Sequence, residues 1–215
     1  MLGSIARMFG TQHYSLFLLS GILLNITPGQ DTLYILGRSI AQGRRAGLLS
    51  VFGIGSGAVI HTLAAAFGLS AILATSASAF TVVKLVGAAY LVYLGIRMWL
   101  ERSASFQSPA DFAQARSWSI YRAGLLTNLF NPKVALFYLA LLPQFVNPLA
   151  HSKLVAFLFL GASFLATGTI WCVFLALTAS TIGSRLRTST SASTIIRRAT
   201  GTLFVGLGVR LAVTK

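Results

Sequence analysis

The strongest constraint on the fold of this chain is the stretch Asn25-Ile26-Thr27-Pro28-Gly29-Gln30-Asp31-Thr32-Leu33-Tyr34. It sits inside a long apolar run, with Ser15-Leu16-Phe17-Leu18-Leu19 before it and Leu33-Tyr34-Ile35-Leu36 after it. A run of that length reads as a membrane span. Pro28 lacks a backbone N–H and clashes with the preceding turn, so it breaks or kinks the helix. Broken backbone at membrane depth is tolerated only where protein or a water-filled cavity satisfies it. Asp31, one turn further on, is costly in lipid and should face inward. A Pro-Gly interruption beside a buried acid is a functional-site signal.

Composition agrees with the membrane. Charged residues make up 9% of the 215 residues, 55% are hydrophobic, and mean hydropathy is +0.78; soluble domains carry about 25% charged residues. The 17 basic and 3 acidic residues give a net charge of +14, a value that in a soluble chain would suggest nucleic acid. Here the basic residues cluster between apolar runs, where they set topology and meet anionic headgroups. The expected partner is the lipid bilayer, with no nucleic acid. The single cysteine, Cys172, excludes an intrachain disulfide and a C-x-x-C motif. Arg7 and the apolar run after it resemble a signal peptide. No small-residue cleavage site follows, so the run reads as a retained span.

Six apolar segments are expected to be spans: 14–38, 47–75, 79–99, 122–146, 153–182 and 195–213. Each comes near or exceeds the ~20 residues a crossing needs. The connections are polar: Gln42-Gly43-Arg44-Arg45, a Ser/Thr turn near Ser76-Ala77-Ser78, Arg102 to Tyr121 (with Asp111, and Glu101 just before it), Asn147 to Ser152, and Ser184 to Thr194. Thr188 to Thr194 has no apolar face and reads as loop. One side of the membrane would collect Arg38, Arg44, Arg45, Arg97, Arg102, Arg116, Arg122, Arg185, Arg187, Arg197 and Arg198. The other side would hold Arg7, Lys84, Lys153, Arg210 and Lys215. The richer side should be cytoplasmic, which puts both termini outside.

The halves resemble each other. Pro28 precedes Tyr34 by the same interval as Pro132 precedes Tyr138. Thr27-Pro28 matches Asn131-Pro132, and Leu94-Gly95-Ile96-Arg97 matches Leu207-Gly208-Val209-Arg210. Each half has an odd number of spans, so the halves must be inverted. Inverted repeats with paired broken helices are a transporter plan, with the site at the repeat interface. The expected fold is an all-α integral membrane protein: six transmembrane helices as two inverted three-helix repeats, with helices one and four broken. Residues 1–100 form the first repeat, 101–121 a cytoplasmic connection and 122–215 the second repeat.

Asp31 is the only acid well inside a span. It could bind a substrate ammonium, a cation or a proton, or be a structural acid paired with a base. Lys133, directly after Pro132, could pair with Asp31, bind a carboxylate, or snorkel. The half-helices starting after Pro28 and Pro132 expose N–H groups that attract anions. Asn25, Thr27, Asn128 and Asn131 could satisfy freed carbonyls or a ligand. Gly53-Ile54-Gly55-Ser56-Gly57 looks like a dinucleotide loop but lies in an apolar helix, so it reads as close packing. His61 could relay protons, though a hydrogen-bonded structural role is the plainer reading. Gly87 and Gly95 read as packing, with Tyr90 reaching the cavity. Trp171 and Cys172 carry no specific signal. No Ser-His-acid set, metal-ligand pair or phosphate loop is present in the sequence, so no enzyme, cofactor or metal site is expected.

Asn25-x-x-Pro28-Gly29-x-Asp31-Thr32-Leu33 resembles the first-helix motif of the lysine exporter/homoserine–threonine exporter (LysE/RhtB) family. Lys84-x-x-Gly87-Ala88-Ala89-Tyr90-Leu91-x-Tyr93-Leu94-Gly95 is similar to that family's third-helix motif. Asn128-x-x-Asn131-Pro132-Lys133, with Leu142-Pro143-Gln144-Phe145 downstream, looks like its fourth-helix signature. The likeness covers essentially the whole chain. It implies a bacterial inner-membrane exporter of amino acids or their derivatives, driven by the proton gradient. Its partners would be a small amino-acid substrate and protons; a homo-oligomer is compatible with the sequence. Gln30 replaces the family's usual second proline, and Gly168-Thr169 stand near where several members carry an acid. Asp31 would then carry more of any proton coupling. Two other readings remain at this point, a metal-cation exporter and a non-transporting membrane subunit or assembly factor. One intramembrane carboxylate without a Cys or His cluster weighs against the first. Paired broken helices with an acid and a lysine weigh against the second.

Overall fold

The computed structural model describes residues 8–71, 77–100, 114–186 and 190–213. Seven α-helices lie among these: α1 (Tyr14–Ile26), α2 (Gln30–Ala64), α3 (Ala77–Leu100), α4 (Ser117–Leu129), α5 (Pro132–Leu136), α6 (Lys153–Leu186) and α7 (Thr190–Val213). A wider turn over Ala65–Leu69 extends α2, and α5 continues through Phe137–Leu141 and a tight turn at Leu142–Phe145. Glu101, Arg102 and Asp111 lie outside the described residues, as do Arg7, Arg187 and Lys215.

The interruption at Pro28 is present: α1 stops at Ile26, Thr27 and Gly29 are extended, and α2 starts at Gln30. The expected span 14–38 is therefore two helices in series. The second interruption falls at Phe130-Asn131, where α4 and the α5 segment meet at 45°. Pro132 occupies the first position of α5, where its missing N–H costs nothing.

Helix α2 is not one straight rod. Gly43 has φ 81°, a left-handed value that favours glycine. A Cβ at Gly47 would overlap the side chain of Ser39, whereas on a straight helix those residues would stand about 12 Å apart. The chain doubles back at Gly43, so the expected Gln42–Arg45 connection is compressed into this one reversal. By length and composition, Gln30–Leu69 and Lys153–Ala179 are apolar enough to cross a membrane, and the bent α4–α5 pair makes a third candidate. Tyr14–Ile26 and Leu85–Leu100 are shorter apolar helices.

Three sequence-based boundaries need correction. Residues 190–194, expected as loop, begin α7. Serine and threonine cost a helix only a few tenths of a kcal/mol each relative to better formers, so a polar helix end extends past its apolar core. For the same reason α4 starts at Ser117, inside the expected connection, and α3 starts at Ala77, inside the expected turn.

Small residues let the helices approach. Helix α2 packs most extensively on α4 and α6, and α3 on α7. A Cβ at Gly53 would overlap the Tyr121 carbonyl, one at Gly124 would come within 2.8 Å of the Ser50 carbonyl oxygen, and one at Gly57 within 2.7 Å of Asn128 Oδ1. The glycine run of α2 is thus a packing seam, as expected. On the α3–α7 face, Gly95 meets the Gly201 carbonyl and Gly208 meets the Ala88 carbonyl, at 2.5 and 2.8 Å from the Cβ each glycine lacks.

One aromatic core underlies both interruptions. Phe137 stacks on Phe164 at 4.3 Å between ring centres and meets Phe17 at 5.9 Å; Tyr138 meets Phe164 edge-on. These rings bind α1, α5 and α6 together. A second cluster joins both arms of α2 to α6 through Ile35, Leu36, Val51, Ile54 and Leu175. The N-terminal strand-like residues latch onto the segment after α5: Gln12 N donates to the Phe145 carbonyl at 2.8 Å and Asn147 N to that of Gly10 at 2.9 Å.

Candidate functional site

Each break must satisfy the backbone groups it frees. At the first, Thr27 Oγ1 donates to the Leu23 carbonyl at 2.6 Å and also meets Thr200 Oγ1 at 2.8 Å. At the second, Asn131 Oδ1 accepts from Lys133 N at 3.0 Å, capping α5. Thr27 and Asn131 are both buried. Their hydrogen bonds repair the backbone, one of the two roles the sequence allowed them.

Lys133 does something the sequence did not reveal. Its ammonium donates to the carbonyls of Leu24 at 2.6 Å and Thr27 at 2.7 Å. These are end-of-helix carbonyls of α1, where a cation is favoured by the helix dipole. A residue from the second break therefore caps the first. The expected direct Asp31–Lys133 pair is not formed among the described contacts, although both side chains line one small cavity with Asn25, Gly29 and Asn131. The backbone oxygens of α1 outcompete the carboxylate because α1 would otherwise end with bare carbonyls inside the protein.

Asp31 lies in the first turn of α2, where the free N–H groups favour an anion. Its Oδ2 accepts from Asn128 Nδ2 at 2.8 Å. Its Oδ1 is buried with no hydrogen-bond partner, and so is Asn128 Oδ1. Asn128 in turn presents its backbone carbonyl to His61 Nε2 at 3.3 Å. The His61 ring stacks on Tyr138, and the Tyr138 hydroxyl meets Thr62 Oγ1 at 2.9 Å. His61 thus supports Asn128 from behind and does not line the cavities around Asp31.

Three of the cavities among the described residues contain Asp31, Lys133 or both. The first is lined by Asn25, Asp31 and Asn128 with apolar Val51, Ile54, Ala58 and Phe164, and with Gly168, Thr169 and Cys172 of α6. The second lies between Asp31 and Lys133. Each has room for the centre of a water-sized sphere over only about 40 and 30 Å³, enough for a few waters and far short of an amino acid. The third, about 190 Å³ by that measure, lies beyond Lys133 and contains Thr27, Pro28, Gly29, Asn131, Pro132 and Tyr90. Nine of the expected residues, Pro28 and Pro132 included, thus line the two cavities that meet at Lys133, or one of them; Asn128 reaches the same centre through Asp31. Gln30 and Arg97 also line the third cavity and Cys172 the inner pockets; the sequence named all three without placing them at the site. Gly168 also lines the first pocket, where a Cβ would come within 3.2 Å of Asn25 Oδ1.

Residues 22–215 match the family model for the LysE type translocator. The chain is 31% identical to an uncharacterized membrane protein of Vibrio cholerae over 199 residues, covering 93% of this chain and 96% of that one. It is 29% identical to the uncharacterized membrane protein YrhP of Bacillus subtilis, covering 89% and 94%. A leucine efflux protein of Salmonella typhimurium is 28% identical over 204 residues, covering 95% and 96%. No solved structure matches the chain. The family consists of translocators, not enzymes. The chain is a multi-pass membrane protein and belongs to the LysE type translocator family.

Proposed function

We propose that this protein exports a neutral amino acid across the bacterial inner membrane in exchange for protons, with the substrate ammonium held by Asp31. The observation that carries the reading is the buried, unpartnered Oδ1 of Asp31 beside apolar walls. A buried carboxylate oxygen without a donor is expensive, and an ammonium or a proton supplies the missing donor. The walls from Val51, Ile54, Ala58 and Phe164 suit an aliphatic side chain. The substrate carboxylate faces Lys133 and the start of α2, where charge and dipole both favour an anion. The leucine efflux activity named for a relative fits this substrate class. The inner pockets, sized for water, correspond to a closed conformation in which the breaks grip each other through Lys133.

Six crossings arranged as two inverted repeats, 1–100 and 122–215 around the connection 101–121, are part of the proposal. Its support is a reciprocal contact. Gly95 and Gly208 hold matching places in the two halves, and so do Ala88 and Gly201, seven residues earlier in each. Gly95 meets Gly201 and Gly208 meets Ala88. A swap of matched partners along antiparallel helices is the signature of a two-fold axis. Orientation follows the basic residues, with both termini outside.

The exchange cycle needs only these groups. A proton arriving from outside neutralises Asp31, its hold on the ammonium weakens, and the amino acid leaves outward. The proton is then released inward as the next substrate ammonium takes its place. Efflux of a panel of amino acids from loaded vesicles tests the reading. Export of neutral aliphatic amino acids, accelerated by an inward proton gradient, is the expected result. Export of metal cations alone would replace it.

A further inference from the structure

Charge gathers at a place the transport cycle does not use, where α2 reverses. Gly43 turns the chain, and the arm of α2 that follows runs beside α4 in the same direction: Gly53 packs on Tyr121 and Gly57 on Asn128. The two begin together, because Gln42 Nε2 donates to the Ala115 carbonyl at 3.2 Å. This register collects arginines from both elements. Arg44 and Arg45 follow the reversal, Arg116 is the N-cap of α4, and Arg122 lies about one and a half turns further. All four are exposed. Trp118 is 65% exposed and stacks on Tyr121 at 5.4 Å between ring centres. A spacing of four puts Arg122 on the same helix face as Trp118. Arg38 is already engaged, with Gln42 and over the Tyr34 ring, and takes no part. Among the described residues the only acid is Asp31, about three turns before the reversal.

We infer that Arg44, Arg45, Arg116 and Arg122 bind the headgroup of an acidic phospholipid, with its phosphodiester held between the α2 reversal and the start of α4 and an acyl chain against Trp118. The helices on both sides are candidate spans, so Arg44, Arg45 and Arg116 stand where spans begin. A guanidinium matches phosphate oxygens with two parallel hydrogen bonds. Arg122, deeper along α4, can lay its stem on the helix and bring its charge to the same level. Tryptophan favours the headgroup level for its amphipathic ring, and basic clusters between helix ends suit anionic headgroups. Trp118 also decides between sources of phosphate: it offers apolar surface beside the charges, which an acyl chain covers and a soluble phosphate ester does not. The Gln42–Ala115 hydrogen bond ties the reversal to α4, and a bridging headgroup adds a second tie at that junction. The site stands whatever solute the protein moves.

Native mass spectrometry of the purified full-length protein in detergent tests this by titration with dioleoylphosphatidylglycerol. Dioleoylphosphatidylcholine, with the same chains and a zwitterionic headgroup, controls for apolar binding. Wild type should hold the acidic lipid at least fivefold more tightly than the zwitterionic one. Arg45→Gln and Arg116→Gln should each weaken the acidic lipid at least threefold and leave the zwitterionic lipid unchanged. Arg45→Lys, which keeps the charge, should lose less than Arg45→Gln. Because both arginines hold one phosphate, the double variant should lose less than the product of the two single losses. Arg198→Gln, which removes an exposed arginine of α7, should change nothing. Equal binding of the two lipids by wild type overturns the site. Single losses that multiply, or an equal loss in Arg198→Gln, also overturn it, because they show diffuse surface charge. Displacement of the acidic lipid by equimolar glycerol 3-phosphate would assign the cluster to a soluble phosphate ester and overturn the lipid.

Discussion

At Asp31, one carboxylate oxygen is held by Asn128 and the other has no partner. On the proposed reading, that asymmetry leaves one oxygen for a substrate ammonium or a proton. Asn can reproduce the hydrogen bond on Oδ2 but cannot give up and take back a proton. Asp31→Asn is expected to fold and to keep substrate exchange while losing gradient-driven efflux; exchange and net efflux measured on the same vesicles check this. Lys133→Met removes two hydrogen bonds from a charged donor, each worth about 1.5–3 kcal/mol, and leaves the α1 carbonyls bare. A lowered melting temperature together with lost transport is expected, read by thermal denaturation in detergent beside vesicle flux. Asp31 was legible because a carboxylate inside an apolar run is conspicuous. The hold of Lys133 on Leu24 and Thr27 was not, because backbone acceptors leave no mark in a side-chain pattern.

The breaks are the elements on which the site depends. Proline announces them in sequence, and both occur beside the expected residues. Pro28→Ala and Pro132→Ala should favour continuous helix and withdraw the helix ends from the cavities. Transport should fall at least tenfold at near-normal membrane levels, measured by flux per folded molecule; wild-type rates in both variants would contradict the role of the breaks. The α2–α4 seam ties packing to the site, since a Cβ at Gly57 would crowd Asn128, the partner of Asp31. Gly57→Ala is expected to cost about 1–3 kcal/mol by overpacking and to impair transport more than Gly55→Ala, whose Cβ would meet only Leu165 at 4.0 Å. Thermal stability and flux of the pair check it. The glycine spacing predicted a seam, but which helix fills it depends on long-range contacts that one helix's pattern does not encode. The polar start of α7 was misread for a related reason: apolar periodicity marks where a helix is buried, not where it ends.

Over the whole molecule, the proposed two-fold plan ties together the reversal at Gly43, the bent α4–α5 pair and the reciprocal α3–α7 contact. Its orientation is testable with a single thiol. Arg44→Cys in a Cys172→Ser background sits beside the reversal and leaves ten basic residues against five in the charge comparison. It should react only with membrane-permeant reagents in intact cells; labelling by an impermeant one would invert the topology. The paired prolines suggested the proposed repeat in the sequence, whereas the hold of Lys133 across the two breaks emerged only in three dimensions. The central claim is proton-coupled export through Asp31. Its most direct measurement is leucine efflux from proteoliposomes with and without an inward proton gradient, comparing wild type with well-folded Asp31→Asn. The gradient should accelerate wild-type efflux and leave the variant unchanged; gradient-driven efflux by Asp31→Asn would contradict the account.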